Sequence, residues 1–370
     1  MNPTCWPRAL AQASQALHLS QPNPHVGCLI TSAAGDVLGE GHTQQAGGPH
    51  AEVMALRDAQ ARGHDVRGAT AWVTLEPCSH HGRTPPCVDA LVAAGIARVE
   101  VALTDPNPRV AGQGLALLRA AGMAVNLLDP QHPVAREARE LNIGFTSRMV
   151  RGTPWVRLKV AASLDGRTAL DNGSSQWITG APARADGHAW RARADAVLTG
   201  IGTVLEDNPQ LDVRLIETPR QPHLVIVDSR LQTPPDARLF GPERQVWIYT
   251  ASADASAAAR LRERGATVIA LPGANGKVDL AAMLKDLARR EVGELHVEAG
   301  HKLTGSLGRE GLADEFLVYL APKLIGAGRD MAGFGPLSDL AQALPLAFHS
   351  VDRIGDDLRI VARVQGRDSF

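Results

Sequence analysis

The chain has few cysteines, few aromatic residues and almost no net charge. Only four of its 370 residues are cysteine. That is too few for a disulfide scaffold of this length, so reduced thiols in a cytoplasmic enzyme are expected. The 38 Lys and Arg residues nearly balance 39 Asp and Glu, and the formal net charge is −1. With no local run of basic residues either, nucleic acid is not an expected partner.

Long apolar runs are also absent. No stretch approaches the length of a membrane span, and residues 1–17 lack a charged segment followed by an apolar core. Neither a membrane anchor nor a secretory signal is therefore expected. A chain of this length exceeds one ordinary domain, and its 44% hydrophobic content suffices for two cores. The sequence leaves open whether the chain forms a homo-oligomer.

The residues of a hydrolytic zinc site are present in one region of the chain. His50, Cys78 and Cys87 offer one imidazole and two thiolates, and Glu52 adds a carboxylate two residues after the histidine. Three protein ligands on tetrahedral zinc leave one position for water, whose pKa the ion lowers to about 7. Glu52 is then expected to carry a proton from that water to a ring nitrogen and to the departing amine. The alternative interpretation is two buried cysteines and a surface histidine.

Local patterns predict how these residues are held. His50 is expected to begin an amphipathic helix with Val53 and Leu56 on one face. Pro86 has the place of a first-turn proline, which puts Cys87 in the first turn of the next helix. There the helix dipole and the free N–H groups favour a thiolate.

The combined pattern resembles the cytidine-deaminase-like zinc signature H-x-E…P-C-x-x-C. It departs from the general form because eight residues, instead of two, separate Cys78 and Cys87. The segment 75–87, LEPCSHHGRTPPC, resembles the bacterial riboflavin-biosynthesis deaminase/reductase family, in which this longer loop is usual. The resemblance covers nearly the whole chain. His80 and His81 are expected to line the loop without binding the metal.

The resemblance implies an α/β protein with two domains. Residues 1–145 would form a zinc-dependent deaminase with a cytidine-deaminase-like αβα fold. Residues 150–370 would form a reductase with a dihydrofolate-reductase-like α/β fold and NADPH as hydride donor. The stretch 151–154, Arg-Gly-Thr-Pro, is the expected joint. Alternating strand and helix patterns in the first half predict a βαβ arrangement with a largely parallel sheet.

Two loops of the first domain match the family's substrate loops. The N-P-x-V-G loop of the family holds the pyrimidine base, which implies that Asn23 contacts substrate. The segment Thr-Asp-Pro-Asn-Pro implies the same role for Asp105 and Asn107. Both segments also have the composition of ordinary turns, and that alternative stays open.

The second domain has no G-x-G-x-x-G opening a βαβ unit, which argues against a Rossmann fold. Glycines at two strand-to-helix transitions, from Gly200 and from Gly300, expose N–H groups where phosphate can bind, although tight turns explain them too. By family match, the cofactor contacts would be Ala161, Trp177, Thr203, Asp207, Ser229, Gly300, His301, Lys302, Leu303, Thr304, Gly305 and Ser306. The substrate contacts would be Ser175, Arg191, Leu211, Arg214 and Glu298.

The predicted function is therefore bifunctional. The first domain would remove the 2-amino group of a diaminopyrimidinone ribosyl phosphate, releasing ammonia, and the second would reduce the ribosyl group to ribityl. The partner would be a small phosphorylated pyrimidine. The alternative is a nucleic-acid base deaminase with a noncatalytic C-terminal recognition domain. That alternative needs a basic face and stacking aromatics, but aromatic residues make up only 4% of the chain.

Overall fold

The computed structural model describes residues 4–80, 82, 84–108 and 110–370. The chain folds into two compact units that divide between Arg151 and Gly152, within the stretch 151–154. Residues 143–151 form a helix, which the sequence patterns did not predict. No helix in the described part of the chain has the length and apolar character needed to cross a membrane.

The first unit contains six α-helices and five strands in its described residues. In chain order these are α1 (Cys5–Gln15), β1 (Gly27–Thr31), β2 (Val37–His42), α2 (Ala51–Ala61), β3 (Thr70–Val73), α3 (Cys87–Ala93), β4 (Arg98–Val101), α4 (Gln113–Ala120), β5 (Ala124–Leu127), α5 (Pro133–Leu141) and α6 (Ile143–Arg151). The strand order is β2-β1-β3-β4-β5. Strand β1 is antiparallel to both of its neighbours, whereas β3, β4 and β5 are parallel. The expectation of a largely parallel sheet was therefore wrong, because the short turn between β1 and β2 can join only antiparallel strands.

Helix α2 lies unusually close to this sheet. Its buried face consists of small residues and one carboxylate: Ala51, Glu52, Ala55 and Ala59. A Cβ on Gly39 of β2 would lie 2.3 Å from the main-chain oxygen of Ala55, so only glycine permits this approach. Val53 and Leu56 are half-buried, and Leu56 packs against the edge of the core. Larger side chains would hold the helix farther from the sheet.

The second unit is built on a nine-stranded sheet. Its elements are β6 (Trp155–Ser163), β7 (Arg167–Leu170), α7 (Ala181–Arg193), β8 (Ala196–Gly200), α8 (Ile201–Asp207), β9 (His223–Val227), β10 (Val246–Thr250), α9 (Ala255–Glu263), β11 (Ala266–Ala270), α10 (Leu280–Arg289), β12 (Glu294–Val297), α11 (His301–Arg309), β13 (Glu315–Ala321), β14 (Gly328–Asp330), β15 (Leu346–Ile354) and β16 (Asp357–Val364). The order is β11-β10-β9-β8-β12-β6-β13-β16-β15, with β7 and β14 as a separate pair. All neighbours from β11 to β13 are parallel, and β16 and β15 complete the edge in antiparallel fashion. The carboxyl ends of seven parallel strands thus meet along one side of the sheet, where α/β proteins bind their ligands.

A buried ionic network crosses the middle of this sheet. Arg157 on β6 lies 2.7 Å from Glu294 on β12 and 2.5 Å from Glu315 on β13. Its guanidinium also lies 4.3 Å from the ring centroid of Trp190. Burial alone would raise the pKa of Glu294, but Arg193 and Arg157 lower it to about 2. Glu294 is therefore ionised at neutral pH. Its negative charge compensates the positive charges of Arg157 and Arg193.

Candidate active sites

The three predicted metal ligands come together in the first unit. His50 is the N-cap residue of α2, Cys87 is the first residue of α3, and Cys78 lies in the loop between β3 and α3. The Nδ1 atom of His50 lies 3.5 Å from the Sγ of Cys78 and 3.4 Å from the Sγ of Cys87. All three candidate ligand atoms lie within 4.8 Å of one another. One imidazole and two thiols in this triangle fit a tetrahedral zinc ion with one open position.

The electrostatics of the cluster suit a cation. The hydrogen bond from Cys87 and the neighbouring His50 lower the pKa of Cys78 to about 4, against the effect of burial. The same pairing with Cys78, together with burial, raises the pKa of Cys87. The main-chain N–H of Cys87 also donates to the Sγ of Cys78, at 3.3 Å. This environment favours the thiolate form of Cys78, which is the form that binds metal.

Glu52 is placed next to this cluster and away from solvent. It lies in the first turn of α2 and is 3% exposed. Burial and the negative charge of Cys78 raise its pKa to about 7. A carboxyl group with such a pKa can both accept and release a proton near neutral pH, as a general acid/base must. His80, by contrast, is exposed, and His81 lies outside the described residues.

Glu76, which the sequence patterns did not identify, holds the loop that follows β4. Its carboxylate accepts hydrogen bonds from the main-chain N–H groups of Asp105 (3.1 Å), Gly112 (2.9 Å) and Leu115 (3.2 Å). Asp105 in turn accepts from the N–H of Asn107, at 2.8 Å. No sequence pattern indicates this role, because the partners of Glu76 are main-chain N–H groups. The loop carrying both predicted substrate residues is thus tied to the residue two positions before Cys78.

Asp105 is nearly buried beside the metal ligands. Burial raises the pKa of Asp105 to about 6. The hydrogen bond from the N–H of Asn107 acts against this increase, and the charges of Glu76 and Cys78 act in the same direction as burial. The Asp105 side chain can therefore donate or accept a hydrogen bond near neutral pH.

The loop before β1 carries Asn23 and is held from behind by a second residue that was missed. Asn23 is half-buried, and its N–H donates to the main-chain oxygen of Ser20, at 2.9 Å. Buried Asn142, between α5 and α6, accepts from the N–H of His25 (2.7 Å) and donates to its main-chain oxygen (3.0 Å). The N-P-H-V-G segment is therefore held by the side chain of Asn142, which lies 117 residues after His25 in the chain.

The second unit contains a cavity of about 550 Å³ at the carboxyl ends of β8 and β12. Eleven of the predicted cofactor and substrate residues line it: Ala161, Ser175, Trp177, Arg191, Thr203, Asp207, Leu211, Arg214, Glu298, Gly300 and His301. Gly200 and Gly300 are the N-cap residues of α8 and α11, as their strand-to-helix positions predicted. A cavity of this size can hold a small ligand in contact with part of a dinucleotide.

Ser229 and residues 302–306 do not line this cavity. The segment 300–306 is not a loop, because α11 begins at His301. Gly305 packs on Gly333, whose main-chain oxygen would lie 2.4 Å from a Cβ there. Ser229 accepts a hydrogen bond from the N–H of Val278, at 3.1 Å. Only the first turn of α11 therefore borders the cavity.

Glu298 is the charged centre of the cavity wall. Its carboxylate lies 2.7 Å from the Nε of Arg191, 3.6 Å from the Nζ of Lys159 and 3.5 Å from the Nε2 of buried His296. Burial would raise the pKa of Glu298, but Arg191 and Lys159 hold it well below its usual range. The carboxylate therefore stays ionised and acts as a hydrogen-bond acceptor.

Two exposed side chains complete the wall. Arg214 lies 2.5 Å from Asp212 and is half-exposed, so further guanidinium N–H groups remain for a ligand. Trp177 is 62% exposed, and its ring lies 4.5 Å from the guanidinium carbon of Arg184. Lys323 donates to the main-chain oxygen of the residue after Trp177, at 2.8 Å. An exposed indole in a cavity wall offers a flat surface for a ligand ring.

Asp165 has a different role from the cavity residues. Its carboxylate accepts from the hydroxyl of Ser163 (2.5 Å) and from the N–H groups of Ile325 and Gly326, the latter at 2.7 Å. These hydrogen bonds lower its pKa to about 2. Asp165 therefore fixes a turn against a neighbouring loop.

Comparisons with known proteins give the family. The model for the RibD C-terminal domain matches residues 154–360, and that for the cytidine and deoxycytidylate deaminase zinc-binding region matches residues 4–103. The riboflavin biosynthesis protein RibD of Escherichia coli (strain K12) is 43% identical over 367 residues, covering 95% of this chain and 96% of the relative. The RibD of Aquifex aeolicus is 39% identical, covering 95% of each chain. The chain belongs to the RibD family.

Solved RibD structures share the whole fold. Acinetobacter baumannii RibD superposes with a TM-score of 0.87 at 38% identity, covering 97% of this chain and 98% of that one. A structure from Thermotoga maritima, named a diaminohydroxyphosphoribosylaminopyrimidine deaminase/5-amino-6-(5-phosphoribosylamino)uracil reductase, has a TM-score of 0.86 at 34% identity and covers 98% of both chains.

Membership of the RibD family confirms the predicted fold class and the prediction of two enzyme activities, deaminase and reductase. The family joins a zinc-binding deaminase domain to an NADPH-dependent reductase domain and acts in riboflavin biosynthesis. The alternative, a nucleic-acid deaminase with a noncatalytic second half, is not favoured, because RibD relatives match both halves together.

Proposed function

We propose that the first unit hydrolytically removes the 2-amino group of a diaminopyrimidinone ribosyl phosphate, and that the second unit reduces the ribosyl group of the product to ribityl. The observation that carries this proposal is the meeting of His50, Cys78 and Cys87 within 4.8 Å, with buried Glu52 beside them. The name of the Thermotoga maritima relative describes both reactions for that protein. The need for reduced thiols also favours a cytoplasmic enzyme.

In the deaminase site, His50, Cys78 and Cys87 would hold zinc. A bound zinc ion supplies an activated water at neutral pH. Glu52 would accept one proton from the attacking water and pass it to the ring nitrogen of the pyrimidine. It would then take the remaining proton of the added hydroxyl and give it to the amine, which leaves as ammonia. Its pKa of about 7 matches both transfers.

The pyrimidine would be oriented by the two loops beside the ligands. Asp105 and Asn107 offer hydrogen-bonding groups from the loop that Glu76 holds, and Asn23 offers an amide from the loop that Asn142 holds. A fixed set of donors and acceptors favours one orientation of the ring, with its amino group at the open metal position.

In the reductase cavity, we assign the charged wall to the substrate. Glu298 remains ionised, so it can accept hydrogen bonds from ribosyl hydroxyls. Arg214 can bind the phosphate through its remaining N–H groups, Arg191 orients Glu298, and Ser175 and Leu211 complete the wall.

The remaining lining residues of the cavity would contact NADPH. Trp177 would offer a flat surface and Ala161 a small one to the cofactor, and Thr203 and Asp207 would offer hydrogen-bonding groups from α8. The start of α11 presents uncompensated N–H groups to a cofactor phosphate. This assignment leaves Ser229 and residues 302–306 as predictions that the cavity does not support.

Zinc analysis of cysteine variants tests the first half. The parent chain should hold about one zinc ion, because two thiolates and an imidazole are a suitable tetrahedral set. Cys78→Ser and Cys87→Ser should lose the ion, whereas Cys5→Ser, at a buried cysteine outside the cluster, should keep it. Full zinc content in both ligand variants would show that the ligand assignment is wrong.

Absorbance of NADPH tests the second half and the order of the two steps. With the diaminopyrimidinone as substrate, NADPH should be consumed only after ammonia is released. With the deaminated compound, consumption should start at once. NADPH consumption without ammonia release would contradict the proposed order.

A further inference from the structure

One segment of the cavity wall has no helix or strand of its own. Residues 208–214 follow α8 directly and contribute Pro209, Gln210, Leu211 and Arg214 to the lining. Leu211 has a φ of 53°, in the left-handed region that non-glycine residues rarely adopt. Such a conformation persists only where surrounding contacts enforce it. The segment therefore needs partners outside itself.

Arg244, just before β10, supplies the first set of contacts. Its Nη1 donates to the main-chain oxygen of Leu211 at 2.5 Å, and its Nη2 donates to the main-chain oxygens of Gln210 and Leu239. Burial lowers the pKa of Arg244 to about 10, so the guanidinium remains protonated at neutral pH. A charged donor is thus directed at main-chain oxygens on both sides of the left-handed turn.

Gln221 and His188 hold the other end of the segment. The side chain of Gln221 accepts from the N–H of Val213 (2.7 Å) and donates to its main-chain oxygen (2.9 Å). The Nδ1 of His188 accepts from the N–H of Arg214, at 3.2 Å. Burial and the charge of Arg191 lower the pKa of His188 to about 4, so its ring is neutral and Nδ1 is free to accept. Main-chain groups of Gln210, Leu211, Val213 and Arg214 are thereby bound by these three side chains, and Arg191 binds the main-chain oxygen of Asp212 between them.

None of these three side chains belongs to the lining of the cavity. They come from α7, from the segment before β9 and from the segment before β10, and all converge on the same wall. We propose that Arg244, Gln221 and His188 are positioning residues of the reductase, which fix residues 210–214 so that Leu211 and Arg214 face the phosphorylated substrate before it binds. This inference rests on the proposed assignment of that wall to the substrate.

Arg244→Met tests the proposal, because methionine fills similar space without donors. If the ordered segment is the only form that binds substrate, the apparent affinity falls with its population. We expect the KM for the deaminated pyrimidine to rise about tenfold or more and the dissociation constant of NADPH to change less than about twofold. Arg244→Lys, which retains one charged donor, should recover part of the loss. Arg260→Met, at an exposed arginine on α9, is the matched control and should leave both constants unchanged.

A double-mutant cycle separates positioning from general stabilisation of the fold. In an Arg214→Ala background, Arg244→Met should raise KM by about threefold or less, because one of the contacts that it positions is already absent. Equal effects in the two backgrounds, or equal loss of substrate and NADPH binding, would overturn the proposal. Gln221→Leu provides the same comparison should Arg244→Met fail to fold. If Arg214→Ala itself leaves KM unchanged, the substrate assignment fails; if it raises KM but Arg244→Met and Gln221→Leu do not, only the positioning role fails.

Discussion

Glu76→Gln should separate substrate binding from metal binding in the first unit. The Glu76 carboxylate lies two residues before Cys78, yet its hydrogen bonds go to the N–H groups of Asp105, Gly112 and Leu115. Glutamine has the same size but only one acceptor oxygen. The variant therefore disturbs the loop that carries the predicted substrate residues without removing a metal ligand.

The size of the effect follows from the number of hydrogen bonds. A hydrogen bond to a charged acceptor contributes about 1.5–3 kcal/mol, and one to a neutral acceptor contributes about 0.5–1.5 kcal/mol. Glutamine can keep at most two of the three hydrogen bonds, both to a neutral oxygen. Even with the smaller values the ordered loop loses about 3.5 kcal/mol, which corresponds to about a three-hundredfold change in an equilibrium constant.

Ammonia release at varied substrate concentration and zinc content measure the two outcomes. We expect the KM for the diaminopyrimidinone to rise by about tenfold to a hundredfold while zinc stays near one per chain. Glu100→Gln is the matched control, because Glu100 is a buried carboxylate on β4 that binds Asn126 (2.7 Å) and Arg98 (3.4 Å). An unchanged KM in Glu76→Gln, or the same change in Glu100→Gln, would refute the positioning of the loop by Glu76.

Two further predictions concern the division of labour and the ionic network. Glu52→Gln should retain zinc, lose ammonia release by about a hundredfold or more, and still oxidise NADPH at the parent rate when given the deaminated pyrimidine; loss of that oxidation would require a single composite site. The folded pKa of Glu294 is about 2, against about 4.3 in an unfolded chain. Its stabilising contribution, about 3 kcal/mol, is therefore present above pH 4.3 and lost as the pH falls towards 2. Urea unfolding at pH 7, 4 and 3 should show a larger loss of stability on acidification in the parent than in Glu294→Gln, because Glu298 and Glu315, whose pKa values are also lowered, titrate in both proteins.

Strongly periodic elements of the fold could be predicted from the sequence, but pairings between distant segments could not. The strand around Trp155 and most helices of the second unit carry their pattern locally. Strands β7 and β14 are short and pair with each other across more than 150 residues, as Arg329 opposite Ala169 shows. Strand β15 exposes Phe348 and Val351 at the sheet edge, so it lacks the alternating burial that identifies a strand.

The residues of the candidate sites also differ in whether they can be predicted from the sequence. His50, Cys78 and Cys87 could be predicted because their residue types carry the metal chemistry and their spacing matches a known signature. Glu76 and Arg244 could not, because their partners are main-chain N–H and C=O groups, which every residue has. A sequence does not show which main-chain groups lack partners within their own segment. That information appears only when the loops are in place.

The position of the ligands at the beginnings of two helices affects how the protein responds to zinc supply. Neither His50 at the start of α2 nor Pro86 at the start of α3 makes a side-chain capping hydrogen bond. A bound ion would therefore join both helix starts to the β3–α3 loop, and metal affinity would add directly to folding stability. All of these ligands lie in the first unit, whereas the reductase cavity lies wholly in the second. In a zinc-starved cell, deamination would stop first. NADPH-dependent reduction would then stop as well, because its substrate would no longer be formed.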